Sequence, residues 1–262
     1  MTFSLMVLGS SAAVPTSNRN LSAHLLNADG RFFLIDCGEG TQFQIHKYHV
    51  SWQRIHHVFI SHLHGDHYFG LIGLLNTMHL LGRKKELHLY APLLLREMLE
   101  LQFLASQTTL SYSLVFHPLN MLAYDTLLDE GHISVYSFPL KHSIPTCGFL
   151  FREKKTPRKV PFPRSYAYCS DTAMSMQIVP WIKKVGLLYH ETTFMQNMEK
   201  AAEEKFHSTS IQAATIAQKA QVKKMIIGHF SARYEDLSPM LDEARSVFQE
   251  TFLAEEGIFI EI

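Results

Sequence analysis

The 262-residue sequence predicts an α+β (α/β) protein in which two β-sheets pack together with helices on the outside. Short apolar runs bounded by turn residues recur in both halves of the chain, as expected of strands. Between them lie segments whose apolar residues repeat with the period of a helix. A hydrophobic content of 47% is ample for a buried core at this length, so we expect one domain over residues 1–262.

The composition restricts the compartment and the partners. The 24 Lys and Arg residues balance the 24 Asp and Glu residues, so a nucleic-acid partner requires basic residues gathered on one face. Cys37, Cys147 and Cys169 lack CxxC spacing, which argues against a disulfide framework and a thiolate metal site. The sequence has neither an apolar run long enough to span a membrane nor the basic start of a signal peptide. We therefore expect a cytoplasmic protein without a membrane partner.

The first half of the chain is rich in strands. The pattern predicts strands over residues 3–9, 22–27, 31–37, 57–60 and 86–91. It predicts helices over residues 41–48, 68–81 and 92–105. Asp29 and Gly30 supply the turn of a hairpin, and Gly82 ends the second helix.

The second half repeats the alternation of strands and helices. It predicts strands over residues 111–119, 124–128, 132–140, 147–152, 165–170, 185–189, 222–228 and 257–262. Helices are predicted over residues 174–184, 195–204, 210–220 and 237–252. Residues 152–164 form a low-apolar, proline-rich and strongly basic stretch, which we interpret as an exposed loop.

A cluster of metal-binding residue types follows the apolar strand that ends at Ile60. Its members are His62, His64, Asp66 and His67. Neutral imidazoles with carboxylates are typical zinc donors, and a two-metal phosphodiesterase needs more of them from other loops. Three candidates directly follow other apolar strands, namely His142, Asp171 and His229. Taken alone, each has a plain alternative, since a single histidine is usually an ordinary polar residue and an aspartate often caps a helix.

The spacing His-x-His-x-Asp-His resembles the signature of the metallo-β-lactamase fold, and further motifs resemble the short form of the ribonuclease Z family. These motifs are Leu8 to Pro15, Pro15 to Asn20, Asp36 to Gln42, His190 to Thr193, His207 to Thr209 and His229 to Tyr234. The resemblance implies a metallo-β-lactamase-like four-layer αββα sandwich. It also implies a zinc-dependent phosphodiesterase that removes 3′ trailers from tRNA precursors by attack of a metal-bridging hydroxide.

The resemblance implies two zinc ions per chain, although manganese and iron suit the same donors. One ion would be held by His62, His64 and His142, the other by Asp66, His67 and His229, with Asp171 bridging the two. Asp36 is expected to support a ligand imidazole rather than bind metal.

The resemblance also implies roles in proton transfer and substrate binding. Asp66 would orient or deprotonate the nucleophile, and His207 would donate a proton to the leaving 3′ oxygen, with Glu191 as its partner. Contacts to the substrate would come from Arg19, Asn20, Thr209 and Arg233. The plain alternatives are that Glu191 is a structural hydrogen-bond partner and that Ser208 or Thr209 caps a helix.

The chain departs from the family pattern at two places. Ser17 stands where the family's loop carries a lysine. His142 and Asp171 are only 29 positions apart, and the basic stretch 152–164 is all that remains where the family has a long arm that grips tRNA. We therefore expect a shortened or missing exosite arm.

Precursor tRNA and a second copy of the chain are the expected partners, because in this family the arm of one subunit reaches RNA held by the other. Two alternatives stay open. One is a general metal-dependent phosphodiesterase acting on small or single-stranded substrates, and the other is a metal-containing binding protein without catalysis.

Overall fold

A computed structural model describes residues 2–154 and 164–262 of the chain. They divide into two compact units. The first contains the residues up to Leu119 together with Glu255–Glu261, and the second contains Asn120–Ala254 together with Ile262. The single domain over residues 1–262 stays a prediction, and residues 155–163 of the basic stretch 152–164 lie outside the described part. Among the described helices, none has the length and apolar character to cross a membrane.

The first unit is built on a mixed sheet with the strand order β14-β1-β2-β3-β4-β5-β6. Its strands are β1 (Phe3–Gly9), β2 (Ala23–Ala28), β3 (Arg31–Ile35), β4 (Ile55–Phe59), β5 (Leu87–Ala91), β6 (Leu114–Pro118) and β14 (Phe259–Glu261). Strands β3 to β6 run parallel, whereas β14, β1, β2 and β3 pair in antiparallel fashion. The sheet predicted for this half of the chain is therefore present.

Helices cover one face of this sheet. They are α1 (Thr41–Lys47), α2 (Gly65–Tyr68), α3 (Leu71–Leu80) and α4 (Leu94–Ala105), with a 3-10 turn at Trp52–Arg54. Leu34, Val58 and Leu89 from the strands share a core with Leu71 and Leu95 from the helices, all buried. Burying such aliphatic side chains contributes about 1.5–3 kcal/mol each, which holds the strand ends in place.

The second unit is also built on a mixed sheet, with the strand order β13-β12-β11-β10-β9-β8-β7. Its strands are β7 (Asp125–Glu130), β8 (Ile133–Leu140), β9 (Thr146–Glu153), β10 (Ser165–Cys169), β11 (Leu187–Glu191), β12 (Lys224–Gly228) and β13 (Thr251–Leu253). Its helices are α5 (Glu199–Glu204), α6 (Ser210–Ala220) and α7 (Ser238–Val247), with 3-10 turns at Met176–Ile178 and Gln196–Met198. Helix α6 packs on β11 and β12 through buried alanines, which permit close approach.

Two predicted helices of the second unit differ in the structure. The prediction over residues 174–184 is wrong, since a 3-10 turn at Met176–Ile178 is followed only by further turns. Pro180 accounts for this, because it has no amide hydrogen and clashes with the preceding turn of a helix. The helix predicted over residues 237–252 ends at Val247, and Thr251–Leu253 instead pairs in parallel with β12.

The direction of the strands brings functional residue types to one edge of each sheet. In the second unit β10, β11 and β12 run parallel, so their carboxyl ends lie together. Strand β8 has the same direction, because β8 and β10 are both antiparallel to β9. In the first unit β1, β3 and β4 likewise end at one edge.

The described ends of the basic stretch 152–164 are paired with acidic side chains. Nε of Arg164 donates a hydrogen bond to Oε2 of Glu153 at 3.0 Å, and Nζ of Lys154 lies 2.8 Å from Oδ1 of Asp129. The flanks of this stretch are therefore anchored to the sheet of the second unit.

Candidate active site

The first cluster of functional residues lies where β3 and β4 end in the first unit. It consists of Asp36, Ser61, His62, His64, Asp66 and His67. Residues 60–64 connect β4 to helix α2, which begins at Gly65 after His64 in extended conformation. The short helix presents Asp66 in its first turn, while His67 is fully buried.

The Asp36 carboxylate organises two of the histidines. Its Oδ2 lies 2.7 Å from Nδ1 of His67 and accepts a hydrogen bond from the Ser61 hydroxyl at 2.9 Å. The same hydroxyl oxygen lies 3.0 Å from Nδ1 of His62. Because an ionised carboxylate only accepts, Ser61 gives its proton to Asp36 and takes the Nδ1 proton of His62 as acceptor. Both imidazoles therefore carry the lone pair on Nε2, which leaves that nitrogen available to a metal ion.

Asp66 is held by the loop that follows β1. The backbone N–H of Ala13 donates a hydrogen bond to Oδ2 of Asp66 at 2.8 Å. The same oxygen lies 3.5 Å from Nε2 of His67, and Nε2 of His62 lies 3.1 Å from Nδ1 of His64. The Asp66 carboxylate thus faces the His67 ring, and the His62 ring faces the His64 ring.

The second cluster lies at the carboxyl ends of β8, β10, β11 and β12 in the second unit. It consists of His142, Asp171, Glu191, Thr193, His207 and His229. Four of these follow their strands directly, as the strand directions require. His207 instead precedes helix α6, where Thr209 is the N-cap with a reciprocal side-chain bond to Gln212, as one of the plain alternatives predicted.

Glu191 is wholly buried and accepts hydrogen bonds from several donors. Nδ1 of His207 lies 2.9 Å from Oε1, and the backbone N–H groups of Thr172 and Ser208 donate to the same oxygen. Burial disfavours the ionised form, but the charge of His207 and its hydrogen bond outweigh burial and hold the pKa of Glu191 below its usual value. An ionised Glu191 fixes the proton of His207 on Nδ1 and so presents its Nε2 for proton exchange.

Thr193 connects Glu191 to a second histidine. The Thr193 hydroxyl donates to Oε2 of Glu191 at 2.9 Å, and its oxygen lies 2.9 Å from Nδ1 of His229. By the same argument as for Ser61, the Nδ1 proton of His229 points to Thr193. The lone pair of His229 is then on Nε2, which lies 3.2 Å from Oδ1 of Asp171.

His142 is oriented by the main chain. Its Nδ1 lies 2.9 Å from the carbonyl oxygen of Phe206, which accepts the Nδ1 proton. Its Nε2 lies 3.7 Å from Oδ2 of Asp171. The two carboxylate oxygens of Asp171 therefore face two different imidazoles, His142 and His229.

The donor chemistry of both clusters fits a divalent metal ion. Donor atoms of Asp171, His207 and His229 lie within 4.8 Å of one another. Imidazoles whose Nδ1 protons are directed to a carboxylate, a hydroxyl or a carbonyl oxygen are the usual ligands of such ions. Ser61 and Thr193 were not predicted, although each stands within two positions of a predicted functional residue.

The residues predicted to contact substrate make contacts within the protein. Nδ2 of Asn20 donates to Oε2 of Glu256 at 2.7 Å, and Oγ1 of Thr209 donates to Gln196 at 2.7 Å. Arg233 packs over the Phe194 ring at 5.1 Å. Arg19 is half-buried in the loop before β2. The structure thus gives Asn20 and Thr209 internal hydrogen bonds.

Comparison with known proteins identifies the relatives of this chain. A family model described as anti-Pycsar protein Apyc1 matches residues 3–252. Ribonuclease Z of Bacteroides fragilis is 39% identical, and the alignment covers 99% of this chain and 99% of that protein. That alignment spans 301 positions, so at least 39 of them hold no residue of this 262-residue chain.

Solved structures of related proteins have the same fold as this chain. The short form of human tRNase Z superposes with a TM-score of 0.84 at 32% identity, covering 98% of both chains. The metallo-β-lactamase fold protein YhfI from Bacillus subtilis superposes with a TM-score of 0.80 at 19% identity over the whole of both chains. These matches confirm the predicted metallo-β-lactamase-like αββα fold class. The chain belongs to the ribonuclease Z family, and also to the group of proteins that the Apyc1 model describes.

Proposed function

We propose that this chain is a two-zinc endoribonuclease that removes 3′ trailers from tRNA precursors. The observation that carries the proposal is the match to ribonuclease Z over 99% of both chains. The predicted ligands, the predicted proton donor and its carboxylate partner are all present in the two clusters. RNA shape and a single-stranded 3′ end are the features to be recognised, since side chains read the A-form groove poorly.

The proposed ligands divide into two sets and one bridge. His62, His64 and His142 would hold one ion, Asp66, His67 and His229 would hold the other, and Asp171 would contribute to both. The orientations of His62, His67, His142 and His229 support this set, because each directs its Nδ1 proton to an acceptor. When bound, the ions supply positive charge that neutralises the phosphoryl oxygens and favours loss of a proton from the attacking water.

Proton transfer is assigned to three side chains. Asp66 orients the attacking water or takes its proton, and the N–H of Ala13 holds this carboxylate in place. His207 gives a proton to the leaving 3′ oxygen through Nε2. Glu191 fixes the tautomer of His207 and stabilises its protonated form.

Four residues are proposed to contact the RNA. Arg19 and Arg233 are the cations of this set, and we assign them contacts with phosphate oxygens. We assign Asn20 and Thr209 contacts with the RNA near the scissile bond. Their hydrogen bonds to Glu256 and Gln196 fix the positions of the two side chains.

The alignment supports the proposal of a shortened arm. At least 39 aligned positions lack a residue in this chain, and we assign them to the region between His142 and Asp171. With less arm, tRNA is held mainly by residues beside the clusters and by the basic stretch 152–164. We therefore expect this chain to bind tRNA less tightly than a relative that has the full-length arm.

A homodimer in the cytoplasm is the proposed state. Helix α4 supports it, since Leu94, Leu101 and Leu104 are more than half exposed along one side. Beside this helix a groove of about 190 Å³ is lined mainly by apolar side chains, among them Phe69 and Met98. Apolar surface of this kind marks interaction sites.

Two substrates test the proposal. A 3′-extended tRNA precursor and bis(p-nitrophenyl) phosphate are incubated with the purified chain, whose metal content is measured in parallel. We expect cleavage of both, two zinc ions per chain, and a loss of about 100-fold or more in Asp66→Ala. Asp242→Ala is the matched control, because Asp242 is exposed on α7.

The same experiment separates the two alternatives. Hydrolysis of the ester without tRNA processing identifies a general phosphodiesterase. This is the second candidate, because at least 39 aligned positions hold no residue of this chain, as expected if the tRNA-binding arm is short. Fewer than one metal ion per chain and no hydrolysis identify a binding protein without catalysis. Full activity of Asp66→Ala contradicts the proposed mechanism.

A further inference from the structure

Glu256 lies far from both clusters in sequence, yet it collects five hydrogen bonds in the first unit. Its Oε1 accepts from the backbone N–H of Ser10 at 3.2 Å, from the Ser10 hydroxyl at 3.3 Å and from the N–H of Asn20 at 2.8 Å. Its Oε2 accepts from Nδ2 of Asn20 at 2.7 Å and from Nε2 of Gln44 at 2.9 Å. One carboxylate therefore joins three separate segments of the chain.

A carboxylate accepts all five bonds at once, because it has acceptor lone pairs on both oxygens and no hydrogen of its own. A glutamine at position 256 places its N–H2 against the backbone N–H groups of Ser10 and Asn20 in one orientation. In the other orientation the N–H2 faces Nε2 of Gln44, whose amide is fixed because the same nitrogen donates to the carbonyl of Leu8 at 2.9 Å. Half-buried donors left without an acceptor then have to move or lose their bond. The set of contacts therefore selects for glutamate itself, rather than for any polar side chain of that length.

The backbone around Glu256 is held as firmly as its side chain. Glu256 forms an isolated bridge with Val7, and the N–H of Gly257 donates to the carbonyl of Val7 at 2.9 Å. Gly257 has a φ of +85°, and a Cβ there would lie 2.2 Å from the Tyr48 ring. Glu256 thus stands at a fixed place beside β1.

The contacts of Glu256 close the base of the loop that runs from Ser10 to Asn20. The N–H of Ser11 donates to the carbonyl of Asn20 at 2.8 Å, which brings the two ends of the loop together. Glu256 then binds both ends at once. The loop is therefore fastened at its base by a residue that the chain reaches only after its last helix.

The same loop carries the backbone group that holds Asp66. Ala13 has a φ of +60°, which is unusual for a residue with a Cβ and persists only when the surroundings impose it. In this conformation its N–H donates to Oδ2 of Asp66 at 2.8 Å. We propose that Glu256 is a positioning residue of the active site, which fixes the Ser10–Asn20 loop so that the Ala13 N–H orients the Asp66 carboxylate for metal binding.

The inference rests on the role proposed for Asp66, and it is tested with Glu256→Gln. Glu255→Gln is the matched control, because Glu255 is the exposed neighbour and loses the same charge. Four quantities are measured: the zinc affinity of the metal-free protein by competition with a chelator, kcat and KM for bis(p-nitrophenyl) phosphate, and the melting temperature. We expect zinc affinity to fall about 10- to 100-fold in Glu256→Gln, as for other residues that hold a ligand. We expect kcat to fall with KM little changed, and Glu255→Gln to match the wild type.

A milder variant keeps the test decisive if Glu256→Gln does not fold. Gln44→Met removes one donor to Oε2, together with the bond from the same nitrogen to the carbonyl of Leu8, while keeping a side chain of similar length. A smaller loss of zinc affinity, about threefold, supports the inference. Zinc affinity and kcat within twofold of the wild type in the folded variants overturn it, whatever the melting temperature. A wild-type chain that neither binds zinc nor cleaves the ester overturns the proposed function, and the inference with it.

Discussion

The two clusters use the same construction in two different sheets. In each, a buried carboxylate bonds one histidine directly and reaches a second histidine through a hydroxyl. In the first unit these are Asp36, His67, Ser61 and His62, and in the second unit they are Glu191, His207, Thr193 and His229. In both, the ionised carboxylate decides which nitrogen of each imidazole carries the proton.

The difference lies in the histidine that is bonded directly. His67 is fully buried, whereas the side chain of His207 is 15% exposed. Glu191 accepts backbone N–H bonds from Thr172, Thr193 and Ser208, and Asp36 accepts the backbone N–H of Ser61. A buried imidazole suits a fixed metal ligand, and a partly exposed one suits exchange of a proton with substrate. The difference in exposure therefore supports the roles proposed above, a metal ligand for His67 and a proton donor for His207.

The largest expected effect comes from the exposed histidine. We expect His207→Ala to lower kcat for a tRNA precursor by about 10²- to 10⁴-fold, because the leaving 3′ oxygen then lacks its proton donor. Hydrolysis of bis(p-nitrophenyl) phosphate should fall far less, since nitrophenolate leaves without a proton. Zinc content should stay unchanged. His132→Ala, at an exposed turn, is the control. An equal loss on both substrates contradicts a role in proton donation.

The two carboxylates should separate metal affinity from turnover. Asp36→Asn places an amide N–H2 against the His67 proton and the Ser61 hydroxyl, so we expect zinc affinity to fall about 10- to 100-fold. Glu191→Gln disturbs His207 in the same way and should lower kcat for tRNA by a similar factor. Chelator competition and steady-state kinetics on both variants measure the two effects. If Asp36→Asn and Glu191→Gln change zinc affinity and kcat by equal factors, the two clusters do not divide metal binding and proton transfer between them.

The sequence predicted the strands and the chemical types of the clusters, because these depend on local patterns. Apolar runs end at Ile60, Leu140 and Gly228, and a polar donor follows each within two positions. It did not predict β13 at Thr251–Leu253, since that strand depends on parallel pairing with β12. Nor did it predict Glu256, whose contacts to Ser10 span 246 positions and leave no local signal.

The hydroxyl links should matter less than the carboxylates. Ser61→Ala and Thr193→Val each remove a hydroxyl that links a histidine to the neighbouring carboxylate, but they leave the carboxylate itself in place. We therefore expect zinc affinity to fall about three- to tenfold. Thr193→Ser keeps the hydroxyl and is the matched control in the second cluster. Chelator competition measures the affinities. If the alanine or valine variant binds zinc as tightly as the wild type, the tautomers are set by something other than these hydroxyls.

The sheets themselves also differ in what is stacked on them. In the first unit the His57 ring stacks between Phe33 and His88, at 5.1 and 5.0 Å. In the second unit the corresponding kind of stack is formed by Tyr168 and Tyr189, at 5.1 Å. Imidazole titrates near neutral pH and phenol does not, so of these two stacks only the one around His57 should respond to mild acid.

The smallest expected effect is therefore on stability, with no change in activity at neutral pH. Burial, and then the nearby charges of His88 and His56, lower the pKa of His57 from 6.5 to about 3. The unfolded chain binds a proton below about pH 6.5 while folded His57 does not, so stability is full above that pH and falls towards pH 3. The slope is at most about 1.4 kcal/mol per pH unit. His57→Phe keeps the stack and should lose less melting temperature between pH 7 and 5 than the wild type, whereas Tyr168→Phe should follow the wild type. Equal losses in all three proteins would show that protonation of His57 does not contribute to acid sensitivity.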